Sequence, residues 1–204
     1  GLDLSVGSMT AFVASLMIMF LNSGLFGDPF AMPIAGVALA IVLGAACGLG
    51  NGLIVTVGGL APFIATLGTM GVLRGLTTWL SQGGSITLQN ADVEALYHPV
   101  YFGEILGVPV PVIFIAITAI VGAFVLYRTA FGRHVVAVGS NEDVARYSGI
   151  AVGRVRTTTY IIQGACVGVA VLLYVPRLSA SNATTGLLWE LQAITAVVIG
   201  GTAL

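Results

Sequence analysis

Lysine is absent from all 204 residues, and charge of either sign is scarce: seven arginines, eight acids and two histidines. Charged side chains make up 7% of the chain, against about 25% in an ordinary soluble domain. Without lysine there is no phosphate-cradling P-loop and no Schiff-base chemistry. A net charge of −1 leaves no basic footprint for nucleic acid. The two cysteines, Cys47 and Cys166, both fall in apolar runs. They read as small buried hydrophobes rather than as a disulfide. The chain opens on Gly1 and stops within an apolar run, so it reads as a piece of something longer, and the lack of a recognisable signal peptide carries no information.

What is abundant is apolar surface. Hydrophobic residues reach 57% and the mean hydropathy is +1.05. A soluble chain of this length would hide only about 70% of its unfolded surface. So few polar side chains cannot cover the remainder, and the chain is read as a membrane protein. Spanning helices need roughly 20 mostly apolar residues. The expected spans are about 5–25, 33–57, 62–80, 108–127, 157–175 and 191–204, the last cut by the end of the chain. The first is open to a second reading, as part of a broken helix.

The connections differ in charge. Residues 128–156 hold five of the seven arginines, Arg128, Arg133, Arg146, Arg154 and Arg156. Residues 81–107 hold Asp92, Glu94 and Glu104 with no basic residue. The positive-inside rule makes the first a cytoplasmic loop and the second an outer loop. Counting spans then puts 176–190 outside and 58–61 inside. In the outer loop Gly83, Gly84 and Pro99, with Pro109 and Pro111 beyond it, read as turns. His98 and His134 fall on opposite sides, so they cannot share a metal or serve one nucleophile.

Glycine, at 28 residues, is about twice its usual share. In the second segment Gly36, Ala40, Gly44, Gly48 and Gly52 recur every four residues. Gly71 and Gly75 repeat that spacing in the third, and Gly164 and Gly168 in the fifth. Such strips let helix backbones approach closely in lipid.

Within the cytoplasmic connection, residues 140–149 carry the signals of one short helix. Ser140 is the expected cap, Glu142 and Asp143 occupy the first turn, Arg146 lies near the last and Gly149 supplies a left-handed stop. Val144, Tyr147 and Ile150 give it an apolar edge. The residues alone allow either a solvated loop or a docking element for a cytoplasmic partner.

Four stretches, GLDLSVGS, APFIATLGTMGVLRG, AVGSNEDVARYSGI and ELQAITAVVIGGTAL, occur in this order. Together they resemble the membrane permeases of ABC importers for monosaccharides, the ribose, xylose, arabinose and galactoside group. The resemblance spans the chain. It implies N-terminal and C-terminal spans beyond this sequence, a pore working as a dimer with a second permease copy, and a bacterial inner-membrane location. It also implies two partners, an extracytoplasmic sugar-binding protein and an ABC ATPase subunit that carries ATP and Mg, so this chain holds no cofactor and hydrolyses nothing. By the same resemblance the helix at 140–149 becomes the ATPase-coupling helix, formed by Ser140, Asn141, Glu142, Asp143, Ala145, Arg146, Ser148 and Gly149. Two positions depart from the family pattern, which reads GIDLS and ELDAIA: Leu2 replaces an isoleucine, and Gln192 stands where an aspartate is common.

A pathway for uncharged, hydroxyl-rich sugars needs scattered donors and acceptors. The candidates within or beside apolar segments are Asp3, Ser5, Asn51, Thr66, Thr69, Arg74, Gln163, Glu190 and Gln192. Taken alone, each is more often a helix–helix hydrogen bond than a substrate contact, and Asp3 and Ser5 also read as a helix cap. Arg74 sits about 9 Å below the end of its segment. It has three readings: snorkelling to the outer surface, pairing with Asp3 or Glu190, or a place on the pathway.

The expected fold is therefore an all-α polytopic transmembrane bundle with a short cytoplasmic coupling helix. The expected function is that of a permease subunit importing monosaccharides by alternating access, driven by ATP. The alternative is a secondary transporter of small polar solutes driven by an ion gradient, which would place ionisable groups at mid-membrane. An intramembrane enzyme lacks a nucleophile–base pair.

Overall fold

The computed structural model describes residues 2–25 and 31–201. The last three residues of the expected sixth span lie outside them. The chain is an all-α bundle whose long elements are α1 (Val6–Asn22), α2 (Ala31–Thr56), α3 (Pro62–Leu80), α5 (Val110–Arg128) and α8 (Val152–Leu178). Shorter helices are α4 (Ala91–Phe102), α6 (Ala130–Ser140), α7 (Glu142–Tyr147) and α9 (Trp189–Ile199). Among the described residues, α2, α5 and α8 are long and apolar enough to cross a membrane. At 1.5 Å per residue α8 is about 40 Å long.

The core forms around α1. Met9, Val13, Met17 and Leu21 of this helix are fully buried and pack with Ala40, Val171 and Val175. A helix apolar on every face belongs at the centre of a bundle. Beside it, α2 and α8 meet along their small-residue strips. A Cβ on Gly44 would strike the Gly164 carbonyl oxygen, one on Gly48 the carbonyl oxygen of Tyr160, and one on Gly168 that of Ala40. With no hydrophobic force between helices in lipid, this backbone contact supplies the dispersion that joins them. The Gly71 and Gly75 strip of α3 differs from expectation: among the described residues a side chain at either would meet nothing within 4 Å. Cys166 is exposed on α8 rather than buried, Cys47 is half-buried, and both are free thiols.

The two ends of the bundle are distinct. At one end β1 (Ser85–Thr87) pairs antiparallel with β4 (Ala180–Asn182), with Ile86 opposite Ser181. Asn22, at the end of α1, donates to the Thr87 carbonyl at 2.8 Å and accepts from the Gln89 amide. At the other end the turn after α2 shares a pocket with Glu142, Arg146 and Arg156. The arginine-rich connection and the 58–61 turn thus lie together, opposite the acidic connection.

Both connections are more ordered than turn signals implied. In the acidic one, Asn90 caps α4 by accepting from the amides of Asp92 and Val93. Pro99 lies inside α4 rather than at a turn; near the helix end its missing N–H forfeits one bond. Burial pushes the Tyr97 hydroxyl well above the usual tyrosine range, and it donates to the Pro33 carbonyl at 2.7 Å. A hairpin of β2 (Glu104–Ile105) and β3 (Val108–Pro109) then leads into α5. In the basic connection α6 and α7 follow each other, and α8 begins at Val152, five residues before the expected 157.

Candidate functional site

The start of α1 lies inside the bundle and is held by polar groups from the residues just before it and from α2 and α3. Asp3 Oδ1 accepts from the Ser5 amide at 2.7 Å and from Ser5 Oγ at 2.6 Å. Asn51 Nδ2 donates to Ser5 Oγ at 2.8 Å and to Asp3 Oδ2 at 3.2 Å. The Leu4 amide donates to Thr66 Oγ1 at 3.1 Å. Ser5 occupies the N-cap position of α1, yet its side chain makes no cap bond. Asn51 and Thr66 stand four or five residues from the ends of their helices, about 6–8 Å in. The helix therefore begins below the membrane surface, at a polar break. Tyr160 of α8 lies in the electrostatic field of Asp3, and its buried hydroxyl has no partner among the described residues.

A second polar group surrounds the segment between α8 and α9. Three of its ten residues adopt left-handed backbone, Ser179 at φ 49°, Gly186 at 67° and Leu188 at 65°. Ser181 Oγ accepts from Ser15 Oγ and donates to the Ala11 carbonyl, both at 3.1 Å. Further along, Gly186 lies against Gly7 so closely that a Cβ on either would strike the other's carbonyl oxygen. Moving from the level of Ala11 and Ser15 to that of Gly7 carries the segment about 6–12 Å along α1 into the bundle. Irregular backbone at that depth persists where protein supplies its hydrogen bonds. Asn182 Oδ1 accepts from the Thr184 amide, and Tyr174 Oη lies 3.0 Å from Thr185 Oγ1.

Arg74 supplies the rest. One guanidinium nitrogen, Nη1, donates to the carbonyl oxygens of Ala183 and Thr185, each at 2.6 Å. The side chain neither snorkels outward nor pairs directly with Asp3 or Glu190; it ties down this re-entrant segment. Glu190 interacts with Arg74 electrostatically without a bond. It is buried in the first turn of α9, and its Oε2 has no partner among the described residues. A Cβ on Gly7 would lie 2.6 Å from that oxygen, which explains glycine there.

The remaining candidates stand apart. Gln163 lines a pocket of about 330 Å³ between α6 and α8 with Thr159 and Arg156. Gln192 is exposed on α9. Thr69 Oγ1 donates to the Thr66 carbonyl within its own helix. Sequence reasoning did not nominate Tyr160, Tyr174 or Thr185. Tyrosine inside an apolar helix is a signal for the first two; Thr185 carries none.

At the basic end, Ser140 closes α6 instead of capping the next helix. The cap of α7 is Asn141, whose side chain accepts from the Val144 amide at 3.0 Å. Asn141 leaves the helical conformation (φ −159°), so it alone holds the geometry a cap requires. Glu142 bonds Arg146 Nη2 at 3.0 Å through one oxygen and Arg156 Nη2 at 2.5 Å through the other, joining α7 to the foot of α8. Ala145 is buried, Val144 and Tyr147 are exposed, and Gly149 adopts φ 81°. Asp143 lies in the first turn, and Ser148 Oγ donates to the Val144 carbonyl at the helix end. The described residues contain no group of three His, Cys, Asp or Glu able to hold a metal.

Residues 1–204 match the family described as branched-chain amino acid transport system, permease component. The chain is 39% identical to the ribose import permease protein of Bacillus subtilis over 100% of this chain and 61% of that protein. It is 36% identical to the D-allose transport system permease protein of Escherichia coli over 99% and 59%. Identity to the L-arabinose ABC transporter permease protein of Azospirillum brasilense is 34% over 99% and 57%. The chain thus spans about three-fifths of the length of these relatives. No solved structure matches it.

Proposed function

Because the chain belongs to the branched-chain amino acid transport system permease component family, we propose that it is the pore-forming part of a permease subunit that imports a monosaccharide across the bacterial inner membrane. The observation that carries this reading is the polar interior built around a broken helix start. Asp3 and Ser5 just before α1 gather there with Asn51 of α2 and Thr66 of α3, and Glu190 and Arg74 stand beside the re-entrant segment. Unwound backbone with a few donors and acceptors, set among apolar helices, suits an uncharged solute rich in hydroxyls. The sugar specificities of the similar proteins named above favour a pentose or hexose.

The energy comes from a separate ABC ATPase that holds ATP and Mg. Its docking element on this chain is α7, with Val144 and Tyr147 presented outward. Closure of the ATPase moves α7, and Glu142 passes that displacement to α8 through Arg156. Since α8 is locked to α2 along the glycine strips, the two shift together against α1 and α3. A sugar-loaded binding protein engages the acidic end, and a second permease copy completes the pore.

The test is copurification and transport. The full-length protein, solubilised gently, should bring down an ATPase subunit, and reconstituted vesicles should take up a monosaccharide with ATP and no ion gradient. Uptake that needs an ion gradient and no ATPase would overturn the proposal.

A further inference from the structure

One corner of the bundle lies outside the polar cluster assigned to the sugar and borders the end of α7. Helix α5 has no buried residue; it leans on α6 and leaves a groove of about 530 Å³ against α8. Ile117, Val121 and Val125 form one wall, Ile162 and Val169 the other, and Phe131 of α6 closes the basic end. Along α8 the groove runs from Thr159 to Val169, which is about 15 Å of helix. That length equals one leaflet of hydrocarbon, half of a core roughly 30 Å thick.

Phe131 is also a wall of a second pocket, of about 450 Å³, lined by His134, Ser148 and Arg154 and by no acid. The apolar groove and this basic pocket are therefore neighbours, with Phe131 as their shared wall. Arg154 is exposed and has no ion pair or hydrogen bond among the described residues. Ala151 caps α8 without a side-chain acceptor, and the amides of Gly153 and Arg154 meet no backbone acceptor. Of these, Arg154 and His134 line the cavity, so a cation with an unpaired helix-start amide and an imidazole meet there. Guanidinium and helix-start amides both favour a phosphate.

We propose that this corner binds an anionic glycerophospholipid of the cytoplasmic leaflet, with one acyl chain in the α5–α8 groove and its phosphate at Arg154 and His134. Charge selects the occupant, because a zwitterionic lipid would fill the groove equally well but gain less from an unpaired arginine.

Native mass spectrometry of the full-length protein, titrated with phosphatidylglycerol or phosphatidylcholine, tests this. Phosphatidylglycerol should be retained roughly fivefold better, the preference that one arginine near an anionic headgroup supports. Arg154→Ala with His134→Ala should abolish the preference and leave total lipid binding in place. Inorganic phosphate at millimolar concentration should not displace the lipid. As a second measurement, a fluorophore is placed on Cys166, which lines the groove, in a full-length background whose other cysteines, Cys47 included, are replaced by serine. Phosphatidylglycerol brominated on its acyl chains should quench it more than the brominated phosphatidylcholine. Equal retention and equal quenching by the two lipids would overturn the proposal, as would displacement by phosphate. Failure of either lipid to quench, because another part of the full-length chain covers Cys166, would overturn it too.

Discussion

Arg74 and Thr185, 111 positions apart, are joined by a 2.6 Å bond from guanidinium to backbone carbonyl. The same nitrogen holds Ala183. Together the two bonds let a strained, non-helical segment sit at membrane depth, where each unpaired carbonyl would cost about 1–3 kcal/mol.

Arg74→Ala should therefore lower both the thermal stability of the full-length protein and the proposed monosaccharide uptake. The expected destabilisation is about 2–6 kcal/mol, for two orphaned carbonyls. Arg74→Lys, with a single ammonium able to reach at least one carbonyl, should fall between. Thermal unfolding in detergent and uptake by vesicles measure the two effects. Wild-type behaviour of the alanine variant would remove Arg74 from this role.

Asn51→Leu should strip Asp3 Oδ2 of its Asn51 donor and leave Ser5 Oγ without one. Hydrogen bonds to charged groups are worth about 1.5–3 kcal/mol, and the loss should appear as instability around the start of α1. Amide exchange at Leu4 to Ser8 should quicken relative to the centre of α1. Unchanged exchange there would mean the cluster does not hold the helix start.

The glycine strips make opposite predictions on two helices. Gly44→Ala forces a methyl onto the Gly164 backbone and should destabilise by about 1–3 kcal/mol. Gly71→Ala enters open space and should be neutral or stabilising by up to about 1 kcal/mol, the helix-propensity difference. Comparing unfolding midpoints of the two variants decides between a packing strip and a strip without a neighbour.

Arg156→Gln should separate coupling from stability. The Glu142–Arg156 pair is partly exposed, with side chains 33% and 41% accessible, so its loss should cost less than about 1 kcal/mol. On the proposed coupling route, transport should nevertheless fall several-fold while basal ATP hydrolysis by the proposed ATPase partner continues. Uptake and hydrolysis measured on the same vesicles give the ratio; an unchanged ratio would exclude Glu142–Arg156 as the link.

Much of this protein is written locally. Scarce charge and long apolar runs dictate helices in lipid, and the boundaries of α3 follow from Pro62 at its start and the polar stretch after Leu80. The four-residue spacing on α2 announced a close-packed face, and the left-handed Gly149 marked the end of α7. Asn141 took the cap from Ser140 because a cap must leave the helical conformation, and Ser140 still belonged to α6.

What the chain alone could not reveal was partnership. The same Gly-x-x-x-Gly spacing found a neighbour on α8 and none on α3, since contact depends on which helices lie side by side. Arg74 looked for a carboxylate in the sequence and found carbonyls in space. A backbone acceptor has no residue type, so nothing at Ala183 could have announced it. Composition and periodicity determined a helical membrane protein and its two unlike ends. Only the packing of α1 among α2, α3 and α8 brought Asp3, Ser5, Asn51 and Thr66 together, because burying their polar atoms in lipid required each to find another.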